Sequence, residues 1–284
     1  MEYPYDELND ELIKGALRED IGSGDITTRA TVSPAALARG KFIAKEEGVV
    51  CGLPILARVF ELLDGDVLVT PKVGEGDAVQ KGDVIAEISG PAAVILTGER
   101  VALNFLQLLS AIATRTRDAV EQVADTKAVI TDTRKTVPGL RSLAKYAVRV
   151  GGGRNHRFHL TDGILIKDNH IVAAGGLCQA VTKAREAASH LLKIEVEAET
   201  FAQIEEALSC HADVIMLDNM SLEEMKKAVA LINGRALVEA SGNMGERDLK
   251  AVAATGVDLI SVGALTHSIR AMDISLRFTL NGNL

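Results

Sequence analysis

Three short polar clusters carry the residues of this chain best suited to chemistry: Asp132-Thr-Arg-Lys135, Gly151-Gly-Gly-Arg-Asn-His-Arg157 and Ile166-Lys-Asp-Asn-His170. Each adjoins an apolar, strand-like run, so Arg134, Lys135, His156, Arg157 and Lys167 can converge on one cleft. Arginine presents a planar fork that captures carboxylate or phosphate through two parallel hydrogen bonds. Several cations at one cleft therefore suit a ligand with several anionic groups. The rest of the chain is acidic, with a formal net charge of −8. Nucleic-acid binders usually carry a net basic face, so no nucleic-acid partner is expected and any anionic ligand must be held locally.

Two carboxylates share this setting. Glu197 closes the run Lys193–Glu197 and Asp218 closes Val214–Asp218. They can hold Mg²⁺, an ion that takes one or two carboxylates plus water and substrate phosphates, or they only orient the neighbouring lysines. Ser241-Gly242-Asn243 and Gly263-Ala264 each precede a helical stretch, where backbone N–H groups form phosphate sites. His156, flanked by Asn155 and Arg157 in a Gly-rich segment, reads as a site residue, whereas His159, His190 and His211 receive no role. No Ser-His-Asp or Cys-His arrangement offers a nucleophile. The expected chemistry is positioning and electrostatic stabilisation.

These residues need a scaffold. From Lys127 onward, apolar runs alternate with amphipathic segments, the pattern of βα units around a parallel sheet. Strands are expected at Ala128–Asp132, Gly163–Lys167, Lys193–Glu197, Val214–Asp218, Ala236–Ala240 and Leu259–Gly263. Helices are expected at Leu140–Val150, Val172–His190, Phe201–Ser209, Leu222–Ile232 and Glu246–Ala254, with a capping box at Ser221-Leu-Glu-Glu224. Six strands are two short of a closed barrel: two strands are hidden, the barrel is incomplete, or the sheet is open and doubly wound. In all three cases ligands bind at the carboxyl ends of the strands, where the residues above fall.

The first hundred residues differ. Val73–Gly90 alternates strand with Gly-Asp turns, an antiparallel signature similar to the hairpins of biotinyl and lipoyl carriers. It lacks their lysine tripeptide, so a β layer of a separate domain is the better reading. Gly98–Thr114 has helical spacing and leads toward the barrel. Cys51, Cys178 and Cys210 are widely spaced and read as buried thiols in a reducing cytoplasm. No apolar run approaches the ~18 residues of a membrane span, and the acidic N-terminus lacks a basic n-region. A cytoplasmic protein with no membrane partner is expected.

Eight segments in fixed order, Glu19–Thr28, Gly98–Phe105, Asp132–Arg141, Lys145–Val148, Gly151–Arg157, Leu165–His170, Ile215–Asn219 and Ser261–Ser268, span nearly the whole chain. In them the chain strongly resembles the quinolinate phosphoribosyltransferase family, the decarboxylating nicotinate-nucleotide pyrophosphorylases of NAD biosynthesis. The resemblance implies an α/β protein: an N-terminal α/β sandwich domain (1–115), an incomplete, open α/β barrel (116–267) carrying the active site, and a segment 268–284 packing back on the first domain. It implies quinolinate and 5-phosphoribosyl-1-pyrophosphate as substrates, Mg²⁺ as cofactor, and a homodimer or higher homo-oligomer with shared sites. Arg134, His156, Arg157 and Lys167 would clasp the quinolinate carboxylates, helped by Arg100 of the neighbouring subunit. Lys135 would reach the pyrophosphate, and Glu197 and Asp218 the ribose hydroxyls or the metal. Ser241, Gly242 and Gly263 would take the 5′-phosphate, and His267 would be a further substrate-binding residue. Lys135, Lys167, Glu197 and Asp218 would be the catalytic set. Asn243 stands where the family has a second glycine, and asparagine tolerates the left-handed backbone needed there. A paralogue from molybdate-transport loci with another substrate and a non-catalytic anion-binding scaffold are the alternatives.

Overall fold

The computed structural model describes residues 7–63 and 66–280. Residues 1–6, 64–65 and 281–284, parts of the expected first domain and of the returning C-terminal segment, lie outside the described residues. In chain order the elements are α1 (Glu7–Ile21), α2 (Ile26–Thr31), β1 (Leu37–Ala44), β2 (Gly48–Val49), α3 (Leu53–Leu63), β3 (Leu68–Pro71), β4 (Ala78–Val79), β5 (Val84–Pro91), α4 (Ala92–Gln122) and β6 (Val129–Thr131). There follow α5 (Arg141–Val150), β7 (Ile164–Ile166), α6 (Asp168–Ala174), α7 (Leu177–Ala187), β8 (Ile194–Ala198), α8 (Phe201–Ser209), β9 (Val214–Asp218) and α9 (Leu222–Ile232). The last are β10 (Leu237–Ser241), a 3₁₀ turn at Met244–Glu246, α10 (Leu249–Ala253), β11 (Leu259–Ser261), α11 (Ala264–His267) and β12 (Ile274–Leu280).

The chain forms two compact units. Met1–Arg117, Pro138–Gly152 and Ile269–Leu284 make the first, Asp118–Val137 and Gly153–Ser268 the second. Although α5 lies in sequence between the first two strands of the parallel sheet, it belongs to the first unit.

In the first unit an antiparallel sheet runs in the order β12-β1-β5-β3. Strand β1 shows why: Ala38, Gly40, Phe42 and Ala44 are buried while Leu37, Arg39 and Lys41 are exposed, the alternation of a strand with one wet face. Gly40 is required there, since a Cβ would lie 2.8 Å from the Leu276 side chain on β12. Helix α4 is longer than the expected Gly98–Thr114, and by length and composition alone it could cross a membrane. Its apolar stripe is used instead in the unit's core, where Ile95, Ala102, Leu106, Leu109 and Ala113 are buried at helical spacing. Glu75 ties this unit together: its carboxylate accepts from the N–H groups of Gly52 (2.8 Å) and Leu53 (2.6 Å), at the start of α3, and from the Tyr146 hydroxyl of α5 (2.7 Å).

The second unit is a six-stranded, all-parallel sheet in the order β6-β11-β10-β9-β8-β7. The six expected strands are these six, displaced by at most two residues at their ends. Strand β6, first in sequence, pairs with β11, the last, so β6 and β7 form the two edges and the wall stays open between them. Arg154 enters this gap: it bridges Thr131 in parallel, its N–H bonding Ile130 (2.9 Å) and its carbonyl receiving the N–H of Asp132 (3.2 Å). Two expected helices are shorter than read. Val172–His190 is cut into α6 and α7 because Gly175 (φ 91°) and Gly176 (φ 148°) turn the chain, and Glu246–Ala254 resolves into the 3₁₀ turn and α10, which Asp248 caps. The capping box at Ser221 and Glu224 starts α9 as expected. Cys51 is buried, but Cys178 and Cys210 are only half-buried, against expectation. Burial and the neighbouring Cys178 push the Cys210 thiol up to about 12, so it remains unionised at neutral pH.

Candidate active site

The carboxyl edge of the parallel sheet gathers five of the expected residues. Lys167 follows β7 and caps α6, and its ammonium pairs with Glu197 Oε2 on β8. Asp218 ends β9 and stands in register with Ser241, which ends β10. Asn219 (φ 55°) donates to Asp218 Oδ2 at 2.8 Å and its backbone N–H reaches the Ser241 carbonyl at 3.1 Å, stitching the two strand ends together. Gly242 is held against this stitch: its φ is 92°, and a Cβ would come within 2.2 Å of Asn219 Oδ1. Asn243 takes the left-handed conformation (φ 52°) and leads into the 3₁₀ turn.

A second group lies at the end of β11. A Cβ on Gly263 would meet the His267 ring at 3.2 Å and the Lys135 side chain at 3.3 Å, so these three residues share one space. Thr266 fixes the chain there by donating to the Lys135 carbonyl at 2.8 Å. Lys135 and His267 are exposed, the condition for reaching a ligand.

The third group is internal. Arg157 is half-buried and donates to the Gly163 carbonyl at 3.0 Å. Burial and then the charge of Arg134 lower its pKa, with Glu195 and Asp162 opposing. Arg157 thus feels a second positive charge in its surroundings, one that a bound anion would offset. His156 has both ring nitrogens engaged: Nδ1 accepts the Arg157 N–H at 2.8 Å, and Nε2 lies 3.1 Å from Glu195 Oε2 and 3.8 Å from Glu239 Oε2. Asp132, fully buried, braces the segment by accepting from the His156 N–H (2.9 Å) and the Asn155 amide (2.5 Å). Glu195 and Glu239 belong to β8 and β10, and β9 lies between them. Strands two places apart stand roughly 9–10 Å apart, a separation that two glutamate side chains leaning toward each other across β9 span to meet one imidazole. A cavity of about 280 Å³ opens beside this group, toward the amino ends of the strands at Ile164, Val214, Leu237 and Leu259.

The expected residues of the second unit therefore fall into a carboxyl-edge set (Lys167, Glu197, Asp218, Ser241, Gly242), a β11 set (Lys135, Gly263, His267) and an internal set (Arg134, His156, Arg157). Arg100 lies in the first unit, exposed on α4. The donor set at Glu197 and Asp218 suits Mg²⁺. It is all oxygen, and Oε1 of Glu197 and Oδ1 of Asp218 have no hydrogen-bond partner among the described residues. Sequence reasoning missed Glu195, Glu239 and the bracing role of Asp132. The signal was available for Glu195, which lies two residues before Glu197 and so on the same face of β8.

With this geometry in place, comparison with known proteins becomes specific. The family model for the quinolinate phosphoribosyl transferase N-terminal domain matches residues 25–110, and that for the C-terminal domain matches residues 112–277. A probable nicotinate-nucleotide pyrophosphorylase [carboxylating] of Bacillus subtilis is 48% identical over 271 residues, covering 95% of this chain and 93% of its own. The chloroplastic nicotinate-nucleotide pyrophosphorylase [carboxylating] of Arabidopsis thaliana is 42% identical, covering 94% and 81%. Among solved structures, NadC from Streptococcus pyogenes superposes with a TM-score of 0.89 at 45% identity, covering 95% of this chain and 96% of that one. The nicotinate-nucleotide pyrophosphorylase of Francisella tularensis gives 0.92 at 40%, covering 96% of each.

Proposed function

Because the chain belongs to the quinolinate phosphoribosyltransferase family, we propose that it transfers the phosphoribosyl group of 5-phosphoribosyl-1-pyrophosphate to quinolinate, giving nicotinate mononucleotide, pyrophosphate and carbon dioxide. The observation that carries this reading is the carboxyl-edge set Lys167, Glu197, Asp218, Ser241 and Gly242 on one parallel sheet, with the half-buried Arg157 held in the same unit under the charge of Arg134. A dianionic pyridine fits the cations, and a ribose with its hydroxyls and phosphates fits the carboxylates and the glycine loops.

The residues act by placement. Arg134, Arg157 and Lys167 hold the quinolinate carboxylates so that the ring nitrogen faces C1 of the ribose, with His156 supporting Arg157 through its backbone. Pyrophosphate departure leaves an oxocarbenium-like sugar. Glu197 and Asp218 stand where their charge stabilises that cation and orients the hydroxyls. Lys135, near Gly263 and His267, faces the leaving pyrophosphate, and Ser241, Gly242 and Gly263 take the 5′-phosphate. When bound, Mg²⁺ neutralises pyrophosphate charge, and Glu197 and Asp218 are the residues that would hold it. After nitrogen attack the ring is cationic, so the 2-carboxylate leaves as CO₂ with its bonding electrons stabilised beside the charged nitrogen, and the carbon then takes a proton.

The same reading makes the working form a homodimer or higher homo-oligomer, with Arg100 of one subunit serving the site of another, in the cytoplasm. Incubation with quinolinate, 5-phosphoribosyl-1-pyrophosphate and Mg²⁺ should yield nicotinate mononucleotide, read by chromatography. Failure to form it from quinolinate would leave the molybdate-locus or scaffold alternatives.

A further inference from the structure

Among the described residues four non-glycine residues take a positive φ: His211, Asn219, Asn233 and Asn243. Asn233 caps the end of α9 and His211 follows the cap of α8, the usual places for a left-handed residue. Asn219 ends no helix. It follows β9 directly, between Asp218 and the Ser221 that caps the start of α9, and it is exposed. An exposed residue with a left-handed backbone serves no core, and such conformations collect where a site has to be shaped. Its contacts all run along the carboxyl edge. Nδ2 donates to Asp218 Oδ2 at 2.8 Å, which leaves Oδ1 as the unengaged oxygen of that carboxylate among the described residues. The backbone N–H reaches the Ser241 carbonyl at 3.1 Å, and Oδ1 of the amide lies where a Cβ on Gly242 would come within 2.2 Å. Arg247 ties the same two loops a second time by donating to the Met220 carbonyl at 2.6 Å.

We propose that Asn219 is the positioning residue for the ribosyl donor: it holds the Asp218 carboxylate with Oδ1 left for the ribose and fixes the spacing between that carboxylate and the Ser241-Gly242 loop, so that the sugar hydroxyls and the 5′-phosphate are recognised as one unit. The inference rests on the assignment of Asp218, Ser241 and Gly242 to the phosphoribosyl group under Proposed function. Asparagine meets each demand of the position. It tolerates a φ of 55°, its amide is short enough to turn back on the preceding carboxylate, and it donates a hydrogen bond without adding a charge. Aspartate would keep the shape but set a second negative group against Asp218. Without the amide, Asp218 is free to change rotamer, and an orientation fixed before the substrate arrives becomes one that binding has to impose. Gly242 is the counterpart of this device, since any side chain there would displace the amide.

Asn219→Gly keeps the left-handed backbone and its N–H and removes only the amide. Its KM for 5-phosphoribosyl-1-pyrophosphate should rise about tenfold, the effect of losing a hydrogen bond to a charged acceptor, while KM for quinolinate stays within about twofold and the thermal midpoint within about 2 °C. Titration calorimetry in Mg²⁺-free buffer reads the same effect without turnover: ribose 5-phosphate should bind Asn219→Gly about tenfold more weakly than wild type, and inorganic phosphate should bind the two proteins alike. In an Asp218→Ala background the substitution should cost nothing further, because the amide acts through that carboxylate. Asn219→Asp should bind ribose 5-phosphate no better than Asn219→Gly. Both KM values rising together, a wild type that does not bind ribose 5-phosphate, an unchanged affinity in Asn219→Gly, or an undiminished loss in the Asp218→Ala background would each overturn the proposal. If wild type forms no nicotinate mononucleotide, the assigned reaction fails by itself, and the ribose 5-phosphate titrations still decide the role of Asn219.

Discussion

Lys167 and Glu197 form an ion pair across the carboxyl ends of neighbouring strands, next to the register partners Ile166 and Val196 of β7 and β8. The lysine is 45% exposed and the glutamate 13%, so the pair adds little to stability and is poised to exchange partners when a charged substrate arrives. Lys167→Ala should therefore leave the unfolding midpoint nearly unchanged. It should lower kcat/KM by a factor on the order of 10²–10³, because Glu197 is left without its cation at the reacting sugar. Steady-state kinetics beside denaturant unfolding tests this, and a large loss of stability with modest kinetic change would contradict it.

The charge of Arg134 acts on Arg157, and on the proposed reading removing its guanidinium leaves a substrate carboxylate short of a two-pronged partner. Arg134→Ala should weaken quinolinate binding by at least ~2 kcal/mol, measured by titration calorimetry. Nicotinate, which lacks the second carboxylate, should bind both proteins poorly. An unchanged quinolinate affinity would take Arg134 out of the site.

Glu239 also leaves a mark on stability. Its folded pKa of about 8 lies above the ordinary 4.5 of a glutamate, so between those values the folded state binds more protons than the unfolded one. Its contribution is then complete below about pH 4.5 and is lost as pH rises toward about 8, a decline of a few kcal/mol at roughly 1.4 kcal/mol per unit. Urea unfolding across that range should show the decline in wild type and a shallower one in Glu239→Gln. Parallel slopes in the two proteins would mean that Glu239 ionises normally.

Arg100 tests the shared site. If it serves the neighbouring subunit, an Arg100→Ala chain mixed with a Lys167→Ala chain should regain activity, since each heterodimer assembles one intact site of two. Random exchange makes about half the molecules heterodimers, so recovery should approach roughly a quarter of wild type. Activity that stays at the level of the separate variants, with exchange demonstrated by mass, would place Arg100 in its own subunit's chemistry or in none.

The strands of the second unit were legible because each is a short apolar run bounded by polar residues, and the parallel order followed from the helices between them. The carboxyl-edge residues were legible for the same reason, since a strand's last polar residue is fixed once the strand is. Helix ends were less so: Gly175 and Gly176 read as tolerable inside a helix pattern, and only their backbone angles show that they break it. Of the internal acids Glu239 was invisible, because it sits in Leu237-Val-Glu-Ala-Ser241, a run that reads as buried strand with one exception. Its partner, His156, is 83 positions earlier in the sequence. The strand order and the bridge at Thr131 that bring them together have no local sequence signal. The grouping of α5 with the first unit was likewise not readable from its amphipathic pattern, which says that a helix buries one face but not against what.

The gap between β6 and β7 has a consequence for how this fold can vary. In a closed barrel the wall is continuous and interior side chains come only from strands, so a ligand is approached from above. Here the wall is open between β6 and β7, and Arg154 to Arg157 slip through the opening, anchored to the edge of β6 by the bridge at Thr131. Arg157, a cation of the proposed site, thus arrives through the side of the wall on a stretch of irregular chain whose two ends are pinned, at Arg154 by backbone pairing and at Gly163 by the Arg157 guanidinium. A stretch held at both ends cannot absorb an inserted or deleted residue the way a surface loop does. Variation in length there would move Arg157 from its place against Gly163.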